Sequence, residues 1–219
     1  SAPELKAGAS HILVSLKISP DNLETLLRDE GVLSTAGVKV LPLIEFLDEK
    51  GTRYAWWAAS VEDEKPSSAQ EMSKKFFARL ANKLKAKNIF ALDPTNASFR
   101  MSVPASYRAE TLRREDQMLL AQYLKADVVM SGRIYVGRQD SGLKLSYDLQ
   151  MWQAKSGRQV GEATRVEPLS GDAPKVVQAT LESSDGKVLE ELSVKLAEAV
   201  SAGNLNLNVV KLSIDGAMN

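Results

Sequence analysis

The sequence predicts an α/β protein of the α+β sandwich kind, a mixed central sheet packed by helices, with a small amino-terminal strand–helix appendage. Three observations carry this. Leu143, Leu145, Tyr147, Leu149 and Met151 alternate strictly with Lys144, Ser146, Asp148, Gln150 and Trp152, the period of a strand with one dry and one wetter face. Ala69, Met72, Phe76, Phe77, Leu80 and Leu84 recur at helical spacing. Strand and helix patterns are interleaved along the 219 residues, enough for one substantial domain with a smaller appendage.

The elements follow in order. "HILVSLKIS" alternates as a strand, and Pro20, Asp21 and Asn22 cap a helix whose apolar face is Leu23, Leu26 and Leu27, ended by Gly31. These form the appendage, residues 1–36. "VKVLPLIEFLDEKGTRYAWWAAS" predicts two strands over 38–60 that turn at Gly51. The longest helix, 67–87, is capped by Ser67 or Ser68. A short buried strand at 89–93 stops at Pro94, residues 94–110 read as a loop, and a second helix covers 111–125. Strands follow at 127–137, 142–154 and 158–167, the last two joined at "KSGR". In the final helix, 185–202, Val188, Leu189, Leu192, Leu196 and Val200 share a face, and Gly203 ends it. Residues 37–203 are thus the main domain, and 204–219 a terminal strand that begins a further module.

"KADVVMSGRIYVG", Lys125 to Gly137, raises the question of a phosphate loop. Such a loop needs a glycine-rich turn leading into a helix, whose N-terminus faces the anion. Here Gly132 sits within the alternating run Val128, Met130, Ile134, Val136, and another strand follows. The stretch is a core strand with a glycine at a bulge or close backbone approach.

Other chemistry is sparse. The 28 basic and 28 acidic residues cancel, so no global field favours nucleic acid or an anionic membrane. The lysines of "KKFFARLANKLKAK" fall on the polar side of an amphipathic pattern. The chain has no cysteine, which excludes thiol catalysis, disulfides and thiolate metal sites. His11 is the lone histidine, and the carboxylate pairs Asp48/Glu49, Glu62/Asp63/Glu64 and Glu190/Glu191 lie in polar runs. No enzyme activity, metal or cofactor is expected. No apolar run approaches the ~20 residues that span a bilayer. "SAPELKAGAS" suits a mature start left by a removed signal peptide, or a chain boundary.

The candidate partner-binding residues are Trp56, Trp57, Trp152, Arg108 and Arg113. Tryptophan is enriched among interface hot spots. Adjacent strand residues face opposite sides, so only one of Trp56 and Trp57 can join one side of the core. Trp152 lies on the wetter face of its strand. Arg108 and Arg113, in "SYRAETLRRED", mark a docking loop or a solvated one.

The order helix, short "LDP" strand, loop, helix, "LKADVVMSGRI" and "LQMWQAKSGRQV" hairpin resembles an α/β module of several bacterial envelope proteins. These are the amino-terminal domain of TolB, the curli-secretion lipoprotein, the outer-membrane lipoprotein activators of penicillin-binding proteins, and the middle domain of the flagellar H-ring assembly protein FlgT. The matching residues are Ala126, Asp127, Ser131 and Gly132, then Ala154, Lys155, Ser156 and Gly157. In outline the likeness spans Val38 to Val200. It implies a periplasmic or outer-membrane-associated, non-enzymatic protein of a Gram-negative envelope. Such a protein would dock to envelope proteins, or to itself, within a flagellar, secretory or peptidoglycan-related assembly, with no nucleic acid and no transmembrane segment. The rival is a small-ligand binder or enzyme using a cleft near 94–110. RNA binding through the lysines at 74–87, in keeping with the module's likeness to an anticodon-binding fold, ranks last.

Overall fold

A computed structural model of the protein describes residues 37–58, 66–139, 142–169, 174–203 and 205. The chain divides into two units, Ser1–Thr35 and Ala36–Asn219, and every element below belongs to the second. The predicted amino-terminal strand and helix, with His11, and the terminal strand lie outside the described residues.

The elements are β1 (Lys39–Leu47), β2 (Arg53–Tyr54), α1 (Ser68–Lys85), β3 (Phe90–Ala91), α2 (Ala97–Met101), a 3-10 turn (Ala105–Tyr107), α3 (Arg114–Tyr123), β4 (Val128–Gln139), β5 (Gly142–Gln153), β6 (Gln159–Pro168) and α4 (Pro174–Ser201). Six strands form one mixed sheet in the order β2–β1–β4–β5–β6, and β3 also pairs with β1. β1 is parallel to β3 and β4, whereas β4, β5 and β6 are a meander of antiparallel neighbours. The predicted α+β class is what the chain adopts.

Register assigns the faces. Phe46 pairs with Ile134 and Ile134 with Tyr147, so these residues share one face with Leu149 and Met151. α1 and α4 cover it: Phe46 meets the rings of Phe76 and Phe77 edge-on at 5.8 and 5.5 Å, and the Tyr147 hydroxyl donates to Asp185 of α4 at 2.6 Å. Leu41, Val129 and Trp152 share the second face. There α3 packs, its Arg114 guanidinium 3.6 Å from the centre of the Trp152 ring.

Both motifs of the envelope-module resemblance have local physical reasons. Lys125 takes a left-handed φ of 56° that ends α3. Two residues on, the Asp127 carboxylate accepts from the Lys39 N–H at 2.8 Å, and its own N–H donates to Lys39 O. "KAD" therefore stops a helix and clamps the starts of β1 and β4 together. In "AKSGR", Ser156 Oγ donates to Gln153 Oε1 at 2.5 Å, and Gly157 turns at φ 67°. Gln122 Nε2 and an Arg114 nitrogen donate to the carbonyls of Ala154 and Gly157, which fastens this hairpin to α3.

Three expectations are corrected. The second strand of 38–60 shrinks to Arg53–Tyr54, and Trp56 and Trp57 occupy the following turn. Residues 94–110 hold α2, capped by Asn96 Oδ1 accepting from Phe99 N, and the 3-10 turn. The last helix begins at Pro174, not at 185. Proline is preorganised for a first helical turn. The interior Gly186, a cost of about 1 kcal/mol against alanine, is offset by burial of Leu181, Val188, Leu189 and Leu192 around it.

Trp56 closes a gap on the outer edge of β1. The Val38 and Val40 carbonyls on that edge accept from Phe90 and Leu92. The carbonyl of Pro42 is the next to point outward, between the β3 pairing and the β2 pairing that starts at Phe46. Trp56 Nε1 donates to it at 2.6 Å from a buried position. Pro42, without an N–H, leaves no donor orphaned there. Trp56→Phe is expected to lower stability by about 1–3 kcal/mol, the cost of an unsatisfied buried carbonyl, read from urea unfolding midpoints.

Candidate docking surface

On the second face, α3 is short. Its ten residues span about 15 Å, and they reach the row Leu41–Val129–Trp152 but not the far ends of the strands. Past the intervening row Leu43–Ser131–Gln150–Glu162, two further rows form the open part of this face. One runs Glu45–Arg133–Asp148–Thr164 across β1, β4, β5 and β6, and the next runs Leu47–Tyr135–Ser146–Val166. A cavity of about 560 Å3 opens over them, lined by Leu47, Arg133, Tyr135, Ser146, Tyr147, Asp148, Thr164 and Val166.

The charges at this site divide unequally. Glu45, 7% exposed, lies between two arginines: Arg53, and Arg133 at 2.8 Å. Arg53 is held in turn by the Glu110 carbonyl and the Thr111 hydroxyl. One buried acid thus uses both cations, which leaves Asp148, beside Arg133 in register and exposed, without a partner among the described residues. In the apolar row, Leu47 and Tyr135 are half-buried, and Val166 is 51% exposed, unusual for a β-branched residue on a sheet.

Ser146 is the anomaly. It is 3% exposed, lines the cavity, and its Oγ has no hydrogen-bond partner among the described residues. An unsatisfied buried hydroxyl costs about 1–3 kcal/mol. Ser146→Ala is therefore expected to raise stability by about 1 kcal/mol in thermal or urea unfolding. A partner that brings a polar group to this oxygen would lose affinity in the same variant.

The predicted partner-binding residues lie elsewhere. Trp56 and Trp57 are 1% and 6% exposed and pack edge to face at 6.0 Å. Both enter the core because a turn, not a strand, carries them, and neither offers a surface ring; Trp57 Nε1 donates to Ala109 O at 3.1 Å. Trp152 is half-buried under Arg114. Arg108 is exposed, with its Nε and a terminal nitrogen donating to the carbonyls of Val103 and Met101, so it braces its own loop. Arg113 precedes α3 with a side chain 88% exposed, 4.0 Å from Asp116. Residues 94–110 do not line the cavity. Tyr135, Ser146, Asp148, Thr164 and Val166 were not singled out in the sequence. Strict alternation marked the wetter face of β5, but nothing local told which part of it α3 would leave bare.

The opposite face carries the strongest electrostatics. Asp185 is 1% exposed, and burial pushes its carboxyl above the usual carboxylate range. It accepts from Tyr147 and pairs with Arg79 of α1. Burial pushes the Tyr147 phenol far up in its turn. This network ties α1, α4 and β5 together and is roofed by helices.

No family model matches the chain, and no curated protein matches it in sequence. Solved structures with a similar course include a PelC dodecamer from Paraburkholderia phytofirmans, at 13% identity and a TM-score of 0.36, covering 75% of this chain and 90% of that one. The LpoB C-terminal domain from Escherichia coli matches at 13% identity and a TM-score of 0.38, with coverages of 66% and 93%. A lipoprotein from Neisseria meningitidis matches at 10% identity and 0.37, with 69% and 96%. Scores this low transfer no activity, partner or location to this chain.

Proposed function

We propose that the protein is a non-enzymatic component of a Gram-negative cell envelope, periplasmic or associated with the outer membrane. In this reading it docks a protein partner across the open half of its sheet, within a flagellar, secretory or peptidoglycan-related assembly. The observation that carries this is the bare pair of rows on the second face. Exposed Val166, half-covered Tyr135 and Leu47 and the unsatisfied Ser146 Oγ are surfaces that a partner would complete. The resemblance of "KADVVMSGRI" and "AKSGRQV" to envelope modules supports the location. No helix among the described residues is long and apolar enough to cross a membrane.

The test is a photo-crosslinking residue placed at Tyr135, with a control at exposed Lys75 on α1, in cells that make the protein natively. The reading holds if Tyr135 captures an envelope protein that Lys75 does not. Capture of cytoplasmic proteins alone, or the same set from both positions, would overturn it. Capture of a second copy would recast the partner as self. A small-ligand site is the second reading, favoured by the convergence of Arg133, Asp148 and the Ser146 hydroxyl on one cavity. A metabolite that raises the unfolding temperature of the wild type but not of Ser146→Ala would favour it.

A further inference from the structure

We propose that the free edge of β6 receives an extended segment of a partner protein, in which an apolar residue and a Lys or Arg two positions away project to the same side. This rests on the docking reading and names the occupant's chemistry.

The edge can be read from the hydrogen bonds. Leu169 N donates to Leu143 O at 2.9 Å, which makes that a bonded pair of the antiparallel ladder. Bonded and non-bonded pairs alternate, so the N–H and C=O groups of Glu162, Thr164, Val166 and Pro168 point away from β5. Two devices close the ends of this row. Lys195 Nζ of α4 donates to Glu162 O at 2.6 Å, and Pro168 has no N–H to offer. Capped carbonyls and prolines are how edge strands resist indiscriminate pairing. Among the described residues, Thr164 and Val166 are left with their outward backbone groups open, enough for one short stretch of ladder.

Side chains set the occupant's character. An added strand would place alternate residues on the second face, in line with the two open rows. In one row it meets Val166, whose exposed side chain takes an apolar neighbour. In the next it meets Thr164, with Asp148 one strand beyond. Among the described residues Asp148 has no partner, since Glu45 holds Arg133. A long cationic side chain passing over Thr164 supplies the missing charge, two positions from the apolar contact.

Two other occupants fit less well. A second copy paired edge to edge brings Glu162, Thr164, Val166 and Pro168 to the second face, with no cation for Asp148. A strand of the same chain beyond α4 meets a topological bar. β1–α1–β3 steps outward over the first face, and β3–α3–β4 steps the opposite way over the second, so both have one hand. β6 runs parallel to β1, and α4 lies over the first face. A parallel strand joining the free side of β6 through α4 would have the other hand, which occurs in about 2% of such connections.

The probe is a phage-displayed library of random linear octapeptides, panned against the whole chain. Enriched peptides are expected to carry Lys or Arg two positions from an apolar residue. The synthetic form of one should slow amide exchange at Thr164 and Val166 at least ten-fold. Asp148→Lys, a change on an exposed side chain, should weaken that peptide at least ten-fold with the unfolding midpoint unchanged. Val166→Pro, which removes one outward N–H, should abolish binding. No enrichment, enrichment without the basic residue, or protection outside β6 would overturn the proposal. If the Tyr135 crosslink still captures its envelope partner after such a result, the edge assignment falls and the docking surface stands. Loss of both removes both.

Discussion

Replacing Arg79 with methionine is expected to lower stability by about 3–5 kcal/mol at neutral pH, the range for removing one partner of a buried ion pair. Asp185 is 1% exposed, and Arg79 is the cation paired with it. Without the guanidinium, the carboxylate keeps one neutral donor, the Tyr147 hydroxyl. The effect has a sign in pH. Burial already raises the folded-state pKa of Asp185 above its ordinary value. Its contribution to stability is therefore fully present below the unfolded carboxylate range, near pH 4, and lost as pH rises through the folded value. Removing Arg79 raises that folded value further. The variant's deficit should be small at acid pH, where Asp185 is protonated in both proteins, and should grow as pH rises through the raised folded value. Urea unfolding of wild type and variant as a function of pH checks it. Arg79→Met combined with Asp185→Asn should recover part of the loss at neutral pH, because no charge is then left buried. A deficit that stays flat with pH, or a double variant no better than the single, would contradict this account.

Gly132→Ala is expected to cost more than about 4 kcal/mol, a magnitude reserved for a few mechanisms. A Cβ at this position would lie 1.9 Å from the carbonyl oxygen of Asp148 on β5. Its φ of 140° is a region that L-residues rarely adopt. The atoms the Cβ meets, Asp148 O and C and Leu149 Cα, are all backbone within the longest ladder of the sheet, so they cannot yield without breaking β4–β5 pairing. Gly51→Ala is the control. It shares a positive φ, 76°, but nothing lies within 4 Å of the added carbon. Only the left-handed strain of about 1–2 kcal/mol should remain. Thermal unfolding by circular dichroism, with soluble yield, separates the two. Because Gly132 adjoins Arg133 and faces the strand that carries Asp148, its loss would also disorder the floor of the docking surface.

The elements with strong periodicity are legible in the sequence itself. α1 and β5 match because their burial follows a simple repeat, and the alternating run around Gly132 points to a bulge or a close backbone approach, of which the structure shows the close approach. The misread positions were those where distant contacts outweigh local signals. The last helix is expected only from 185, yet α4 runs from Pro174 through Gly186, because flanking leucines and valines are buried and Asp185 finds Arg79 and Tyr147. Trp56 and Trp57 looked like strand neighbours on opposite faces. A turn lets both enter the core, one of them to meet a carbonyl fourteen residues earlier.

By itself, then, the sequence determined the class of fold, the helix over α1, the strands β4 to β6 and which face of β5 would be dry, since each depends on the spacing of side chains along one segment. Tertiary structure alone decided where the wetter face stays open. That depends on how far α3 reaches across strands distant in sequence, and on the competition of Arg53 and Arg133 for one buried Glu45, which leaves Asp148 unpaired among the described residues. No local pattern encodes either, because both arise from register between strands drawn together only when the chain folds.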